Sequence, residues 1–322
     1  MADALLRLGT RGSKLALTQT GLVRDALAAA HPVLAAPGAI EVMVIKTTGD
    51  AIQDRPLSEA GGKGLFVKEI EEALLGGRID AAVHSMKDMP TAQPDGLLIA
   101  AFLPREDARD VLIAGDIERI ADLRQGAVVG TSALRRRAQL LHRRPDLQIV
   151  TLRGNVDTRL AKRERGEVEA TLLALAGLKR LGLGHVGAPV PEDEMLPAVG
   201  QGAVCIECRE ADTRVRGWLA AIDHVPTATR VHAEHALLAV LDGSCRTPIA
   251  GHAVLDASGG LWLRGLIAKP DGSQEKRLTQ INKELLAKKK ILPVEEIWYE
   301  SFDGTKIHGW LFKPADFDPK KK

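Results

Sequence analysis

Short apolar segments alternate with amphipathic segments along most of the chain. A strand at residues 5–8 is followed by a helix at 14–30, and the same order recurs as a strand at 127–130 and a helix at 134–142. Residues 77–83 and 166–172 also match each other, each a turn leading into a buried strand. The repetition predicts two similar α/β units built on mainly parallel sheets.

The breaks in this pattern predict the domain organisation. Domain 1 is expected at residues 1–103 and 203–220, because a strand at 200–208 could return to the first unit. Domain 2 is expected at 108–197 and a small domain 3 at 224–276, leaving a C-terminal tail at 277–322. Two crossings between α/β lobes predict a hinged cleft, and ligands of such sheets bind at the carboxyl ends of the strands.

Composition narrows the class of protein. Hydrophobic residues make up 45% and charged residues 27% of the 322, and the formal net charge is only +2, so any anion binding must be local. Aromatic residues are 3%, which argues against a nucleic-acid partner. Three cysteines fit a reducing compartment, and neither a signal segment nor a membrane span is recognisable. We therefore expect a cytoplasmic protein without a membrane partner.

Arginines gather where the predicted strands end. They are Arg11 in the first unit and Arg135, Arg136, Arg153 and Arg159 in the second. Arginine pairs with carboxylates in a bidentate manner, so the set suits a substrate with several carboxylates. The alternative is a solvated helix face, which we favour for Arg137, Arg143 and Arg144.

Two further residues are candidates for chemistry. Asp88 follows the predicted strand at 79–83, where a carboxylate could stabilise a cation or move a proton, with Lys87 beside it. The alternative for Asp88 is a turn or cap before Pro90. Cys245 lies in a loop after a helix that Thr227 could cap, which makes it a candidate covalent attachment point. Its alternative is a small half-buried residue.

Other motifs predict structure rather than chemistry. The sequence Gly61-Gly62-Lys63-Gly64 lacks the hydroxyl and the first glycine of a phosphate loop, so a flexible lid is expected, followed by a helix whose buried stripe includes Phe66, Ile70 and Leu74. Cys205 and Cys208 should point to opposite faces of a strand. His232, Glu234 and His235 lack zinc-protease spacing and are expected to decorate a helix. No metal site is expected.

Taken in order, several motifs resemble one family. They are Thr10-Arg11-Gly12-Ser13, Gly61-Gly62-Lys63-Gly64-Leu65-Phe66, His84-Ser85-Met86-Lys87-Asp88, Gly130-Thr131-Ser132, Leu134-Arg135-Arg136, Leu152-Arg153-Gly154-Asn155, Pro197-Ala198-Val199-Gly200-Gln201-Gly202-Ala203 and the Cys245 loop. From about residue 5 to 274 the chain resembles the porphobilinogen deaminases, also called hydroxymethylbilane synthases. The resemblance implies two periplasmic-binding-protein-like α/β domains with a cleft between them, plus a small third α+β domain carrying the cofactor cysteine.

The resemblance also implies the activity and its residues. Cys245 would carry a dipyrromethane cofactor through a thioether, extended by four porphobilinogen units with loss of ammonia until water releases hydroxymethylbilane. Asp88 would be the catalytic carboxylate. Cofactor contacts would come from Arg135, Arg136, Lys87, Ser85 and Thr131, substrate contacts from Arg11, Arg153, Arg159 and Gln201, and the lid from Lys63 and Phe66. We expect a monomer.

Two positions depart from the family pattern. Ala133 stands where many relatives carry a serine, which predicts weakened cofactor anchoring. Residues 277–322 resemble the segment before the hydrolase domain of prolyl-oligopeptidase-like peptidases, but no Gly-x-Ser-x-Gly elbow follows. A chimera is therefore predicted, with a hairpin around Asp303-Gly304. The alternatives to an active transferase are a folded but inactive chimera and a solute-binding protein for polycarboxylates.

Overall fold

The chain forms two compact units, residues 1–277 and 278–322. The structure is a computed structural model that describes residues 4–51, 66–241, 247–273, 276–277, 295–300 and 306–311. The first unit contains two five-stranded α/β sheets and a smaller three-stranded sheet. The predicted α/β class with two repeated lobes is confirmed, while the predicted domain bounds stay predictions.

The first large sheet has the strand order β2-β1-β3-β10-β4. Its strands are β1 (Leu6–Thr10), β2 (Ile40–Val44), β3 (Ala81–Ser85), β4 (Leu97–Phe102) and β10 (Val204–Arg209). Its helices are α1 (Lys14–Ala30), α2 (Thr48–Ala51), α3 (Lys68–Leu75) and α7 (Thr213–Ala220). Strands β1, β2 and β3 are parallel, and β10 runs antiparallel to β3 and β4.

The second large sheet repeats this arrangement with the order β7-β6-β8-β5-β9. Its strands are β5 (Asp110–Ile113), β6 (Val128–Gly130), β7 (Gln148–Val150), β8 (Ala170–Ala174) and β9 (Ala188–Pro189). Its helices are α4 (Leu134–Arg143), α5 (Val156–Glu164) and α6 (Leu175–Arg180). The chain passes from the first lobe to the second between β4 and β5 and returns between β9 and β10, and we call these two connections the first and second crossings. In each sheet the strand that follows a crossing, β5 or β10, runs antiparallel to its neighbours.

Strand alternation determines what each face of the first sheet buries. Leu6 and Leu8 pack against Val23 and Leu27 of α1 on one face. The opposite face packs against α3, where Ile70 and its neighbours are buried. Cys205 and Cys208 belong to different apolar clusters and are both free and buried, which confirms that they point to opposite faces. The parallel strands thus direct their carboxyl ends to one edge, where polar residues follow.

The third domain combines helix α8 (Val225–Val240) with strands β11 (Ile249–Leu255), β12 (Leu261–Ile267) and β13 (Lys276–Arg277). The expected cap at Thr227 is wrong, because the helix begins earlier, with Pro226 in its first turn and His224 as N-cap. The Thr227 hydroxyl instead accepts a hydrogen bond from the backbone N–H of Arg105 at 2.9 Å. This bond ties α8 to the first crossing between the lobes.

Glu234 of α8 joins the third domain to both crossings. It is fully buried and forms a bidentate ion pair with Arg105, with the shorter contact at 2.6 Å. Its carboxylate also accepts hydrogen bonds from the backbone N–H groups of Gly200 and Ala253, each at 2.7 Å. Glu234 lies on a helix, as expected, but it is a buried and fully paired carboxylate that holds three segments together.

The second unit contains the antiparallel strands β14 (Glu295–Glu300) and β15 (Lys306–Leu311). They flank the expected hairpin turn at Asp303-Gly304, and the turn itself lies outside the described residues. A hairpin at this place is confirmed, although its first strand begins earlier than the sequence pattern indicated.

Candidate active site

Asp88 lies at the end of β3, in a 3₁₀ turn formed by Met86–Asp88. Met86 is buried and donates its backbone N–H to the carbonyl of Ala203 at 3.0 Å, which fixes the turn against the second crossing. Gly200 of that crossing has φ +70°, and a Cβ there would stand 2.8 Å from the Met86 Cγ, so only glycine allows this approach. The Asp88 carboxylate remains about one-third exposed.

Arg11 approaches Asp88 from the turn after β1. Its Nη1 lies 3.7 Å from the Asp88 Oδ2, and its guanidinium lies 4.1 Å from the centre of the Phe66 ring. Ser13 caps α1 by accepting the Ala16 N–H at 3.2 Å, which fixes the turn carrying Arg11. The predicted lid residue Phe66 thus contacts Arg11, which in turn approaches Asp88, whereas Lys63 lies outside the described residues.

Arg135 and Arg136 share one buried carboxylate, Asp110 of β5. Nη2 of each guanidinium donates to Asp110 at 2.7 Å, and both arginines also donate to backbone carbonyls, of Leu196 and Leu172 respectively. Gln201 adds a hydrogen bond to Asp110 at 2.9 Å. Burial by itself would raise the pKa of Asp110, but the two arginine charges and these hydrogen bonds hold it well below its usual range.

Thr131, Arg153 and Arg159 follow strands of the second sheet, as predicted. Thr131 is buried, and its hydroxyl accepts the backbone N–H of Ala133 at 3.2 Å. Arg159 Nε donates to the carbonyl of Gly154 at 2.9 Å. Burial, then the charges of Arg136 and Arg153, lowers the pKa of Arg159 to about 10, while Asp88 opposes the shift. Arg159 therefore lies within electrostatic reach of Asp88, across the two lobes.

Lys87 and Ser85 flank the Asp88 turn. The Lys87 side chain is exposed, but the surrounding protein removes part of its hydration, and this desolvation lowers its pKa. The charges of Asp88 and Asp110 oppose the shift, and those of Arg136 and Arg159 add to it. The Ser85 hydroxyl donates to the Gln19 side chain at 3.0 Å.

The described part of the cleft carries a strong positive charge. Its cations are Arg11, Lys87, Arg135, Arg136, Arg153 and Arg159, and its carboxylates are Asp88 and Asp110. Cationic side chains from both lobes suit the cleft to a ligand with several carboxylates. Dipyrromethane built from porphobilinogen carries four, and this donor set therefore fits it.

Helix α4, which carries Arg135 and Arg136, begins without a side-chain cap in the described part of the chain. Thr131 and Ser132 do not cap α4, since its N-cap is Ala133 and no side chain of the described residues caps it. The Ser132 hydroxyl instead donates to the Leu152 carbonyl at 2.8 Å. Cys245 lies outside the described residues.

Sequence reasoning missed Asp110 and Glu234 as structural centres of the site. The local sequence gives one signal for each. Asp110 is a carboxylate at the first position of a buried strand, and Glu234 is a carboxylate among the buried positions of helix α8. In the part of the chain that the structure describes, no cluster of His, Cys, Asp and Glu could hold a metal ion, and no helix is long and apolar enough to cross a membrane.

Comparison with known proteins gives consistent results along the chain. Residues 6–217 match the family model "Porphobilinogen deaminase, dipyromethane cofactor binding domain". Residues 228–293 match "Porphobilinogen deaminase, C-terminal domain", which reaches past residue 277, where the foreign tail was predicted to begin. The chimera therefore stays a prediction.

Individual relatives agree with the family models. Porphobilinogen deaminase of Paracoccus denitrificans is 58% identical over 270 residues, covering 84% of this chain and 85% of the relative. The enzyme of Nitrobacter hamburgensis is 54% identical over 86% of this chain and 87% of its own. The chloroplastic enzyme of Oryza sativa subsp. japonica is 54% identical over 84% and 76%. With its two α/β lobes and cationic cleft, this chain belongs to the porphobilinogen deaminase family.

Proposed function

We propose that this chain joins four porphobilinogen units on a dipyrromethane primer attached to Cys245 and then releases hydroxymethylbilane by hydrolysis. The enzyme is a transferase of tetrapyrrole biosynthesis, as its family membership establishes. The observation that best supports the residue roles is the meeting of Asp88 with cationic side chains from both lobes.

Asp88 is the proposed catalytic residue. In each condensation the aminomethyl C–N bond of porphobilinogen breaks, ammonia leaves, and a positive charge develops on the substrate. A carboxylate held in a partly closed cleft stabilises that charge without having to reorganise. The new C–C bond then forms and the receiving pyrrole carbon loses a proton, which Asp88 would accept. The Arg11 guanidinium, whose Nη1 lies 3.7 Å from the Asp88 Oδ2, forms a long ion pair with this carboxylate.

The cationic residues are proposed to bind carboxylates rather than to react. When bound, dipyrromethane supplies the free pyrrole carbon that receives the first substrate unit. Arg135, Arg136, Lys87, Ser85 and Thr131 would hold this group, and Arg11, Arg153, Arg159 and Gln201 would bind substrate carboxylates or orient the side chains that do. Gln201 acts through Asp110, because its amide donates to that carboxylate. Phe66 and Lys63 would belong to the lid.

The state of the other cysteines supports attachment at Cys245. The sequence has three cysteines. Burial raises the pKa of Cys208 to about 11 and that of Cys205 well above its usual value, so neither supplies a thiolate at neutral pH. Cys245 is the remaining thiol.

Intact-mass measurement tests the proposal. The purified protein should carry an added mass equal to one dipyrromethane, Cys245→Ser should lack it, and the matched control Cys208→Ser should keep it. The wild-type protein should also release one ammonia per porphobilinogen consumed. Active protein without the adduct, or binding of porphobilinogen without ammonia release, would contradict the proposal.

We further propose that the enzyme acts as a monomer in the cytoplasm, without nucleic-acid or membrane partners. Sedimentation of the purified protein at several concentrations tests the first point, and a mass that rises to that of a dimer would contradict it.

A further inference from the structure

Three ionisable residues lie in the apolar layer between the first sheet and α3. They are Glu71 of α3, His84 of β3 and Glu207 of β10, with exposures of 9%, 5% and 0%. Among the described residues, neither Glu207 oxygen nor His84 Nε2 has a hydrogen-bond partner, and the same holds for Glu71 Oε1. The nearest ionic contact joins His84 Nε2 to Glu207 Oε2 at 3.3 Å.

Such a cluster is unfavourable unless its charges balance. A buried carboxylate is tolerated when it is paired, and the His84 ring at 3.3 Å is the partner that the described residues offer to Glu207. Burial, and then the charge of Glu207, raises the pKa of Glu71, so this carboxyl holds its proton to a higher pH. Apolar side chains of similar size would fill this layer at least as stably. The cluster is therefore better explained by a role in the reaction than by stability.

The cluster touches both elements that frame the catalytic carboxylate. His84 immediately precedes Ser85 and the Asp88 turn, and it pairs in register with Cys205 of β10. Glu71 belongs to α3, which begins two residues after Phe66. Cys205 lies within electrostatic reach of both Glu207 and Asp88.

We propose that Glu207 is a positioning residue for Asp88, acting through the His84 ring to fix the end of β3. The inference rests on the proposed function, in which Asp88 is the catalytic residue. Loss of the Glu207 charge frees the His84 ring and loosens the turn that follows it. Arg136, Arg153 and Arg159 belong to the other lobe and keep their places. The reaction rate should therefore fall while substrate binding is preserved.

Glu207→Gln tests the proposal, because the amide has nearly the same shape and lacks the charge. The matched control is Glu210→Gln, an exposed carboxylate just past the end of the same strand. We expect kcat of Glu207→Gln to fall about ten- to a hundredfold, in line with the effect of small misplacements. KM for porphobilinogen should stay within twofold, and the dipyrromethane adduct should remain. A kcat equal to that of Glu210→Gln, or a rise in KM alone, would overturn the inference.

A double variant keeps the test valid if Glu207→Gln folds poorly. His84→Gln leaves Glu207 uncompensated and should lower Tm, whereas His84→Gln/Glu207→Gln should regain much of that loss. The double variant should still show a kcat at least tenfold below wild type. A wild-type kcat in the double variant would overturn the positioning role. If the wild-type protein carried no adduct and released no ammonia, the proposed function itself would be refuted.

Discussion

Asp110 gives the sharpest prediction, because one carboxylate balances two buried guanidiniums. Its side chain is fully buried, and those of Arg135 and Arg136 are 7% and 6% exposed. Asp110→Asn keeps the shape but leaves both arginine charges without a counter-ion in the interior. Removing one partner of a buried ion pair costs about 3–5 kcal/mol. Against a typical stability of about 5–15 kcal/mol, the loss would be large.

Thermal unfolding measured by circular dichroism checks this magnitude. At a shift of roughly 2–4 °C in Tm for each kcal/mol, Asp110→Asn should melt roughly 6–20 °C lower at pH 7. The matched control is Asp107→Asn, whose partner Arg109 is 38% exposed. A half-exposed pair contributes about 1 kcal/mol or less, which predicts a shift of only a few degrees. Adduct content is compared by intact mass, so that cofactor loss is not mistaken for loss of the ion pair.

The dependence on pH provides a second check. The folded-state pKa of Asp110 is well below the value of about 4 in an unfolded chain, so the ionised form contributes stability above that value. This contribution falls as the pH drops below about 4. The Tm difference between wild type and Asp110→Asn should therefore be constant from pH 5 to 8 and shrink in acid. A variant that melts within 2 °C of wild type, or no lower than Asp107→Asn, would refute the reasoning.

Three further predictions concern other parts of the molecule. Ala133→Ser supplies the missing N-cap of α4, because the backbone at this position is already extended. The change should raise the free energy of unfolding by about 1 kcal/mol, and an unchanged or lower Tm would contradict this. Gly272→Ala should have a Tm well below that of the control Gly259→Ala. Both glycines have positive φ, but only at Gly272 would a Cβ stand 2.6 Å from the backbone N of His142. Equal Tm values would show that this close approach does not affect stability. Asp88→Asn should lower the rate of ammonia release about a hundredfold or more with the adduct retained, and a loss below tenfold would argue against Asp88 as the catalytic group.

Local patterns were sufficient for much of the fold and for part of the site. Helix α1 occupies the predicted residues, and α4 extends one residue past its predicted end. Asp88 lies at the end of a buried strand, as its position after residues 79–83 indicated. These features follow from the periodicity of apolar residues and from turn residues, which act over a few positions of the chain. The family resemblance was likewise carried by short motifs.

The tertiary structure alone decided how the charged groups are paired. Arg135 and Arg136 share Asp110, which is 25 and 26 positions away, and Glu234 meets Arg105 across 129 positions. Residue type and local spacing were enough to indicate the two α/β lobes, the set of arginines at the strand ends and the position of Asp88 after a buried strand. They could not determine which carboxylate is buried against which arginine, because that depends on how distant segments pack and exclude water.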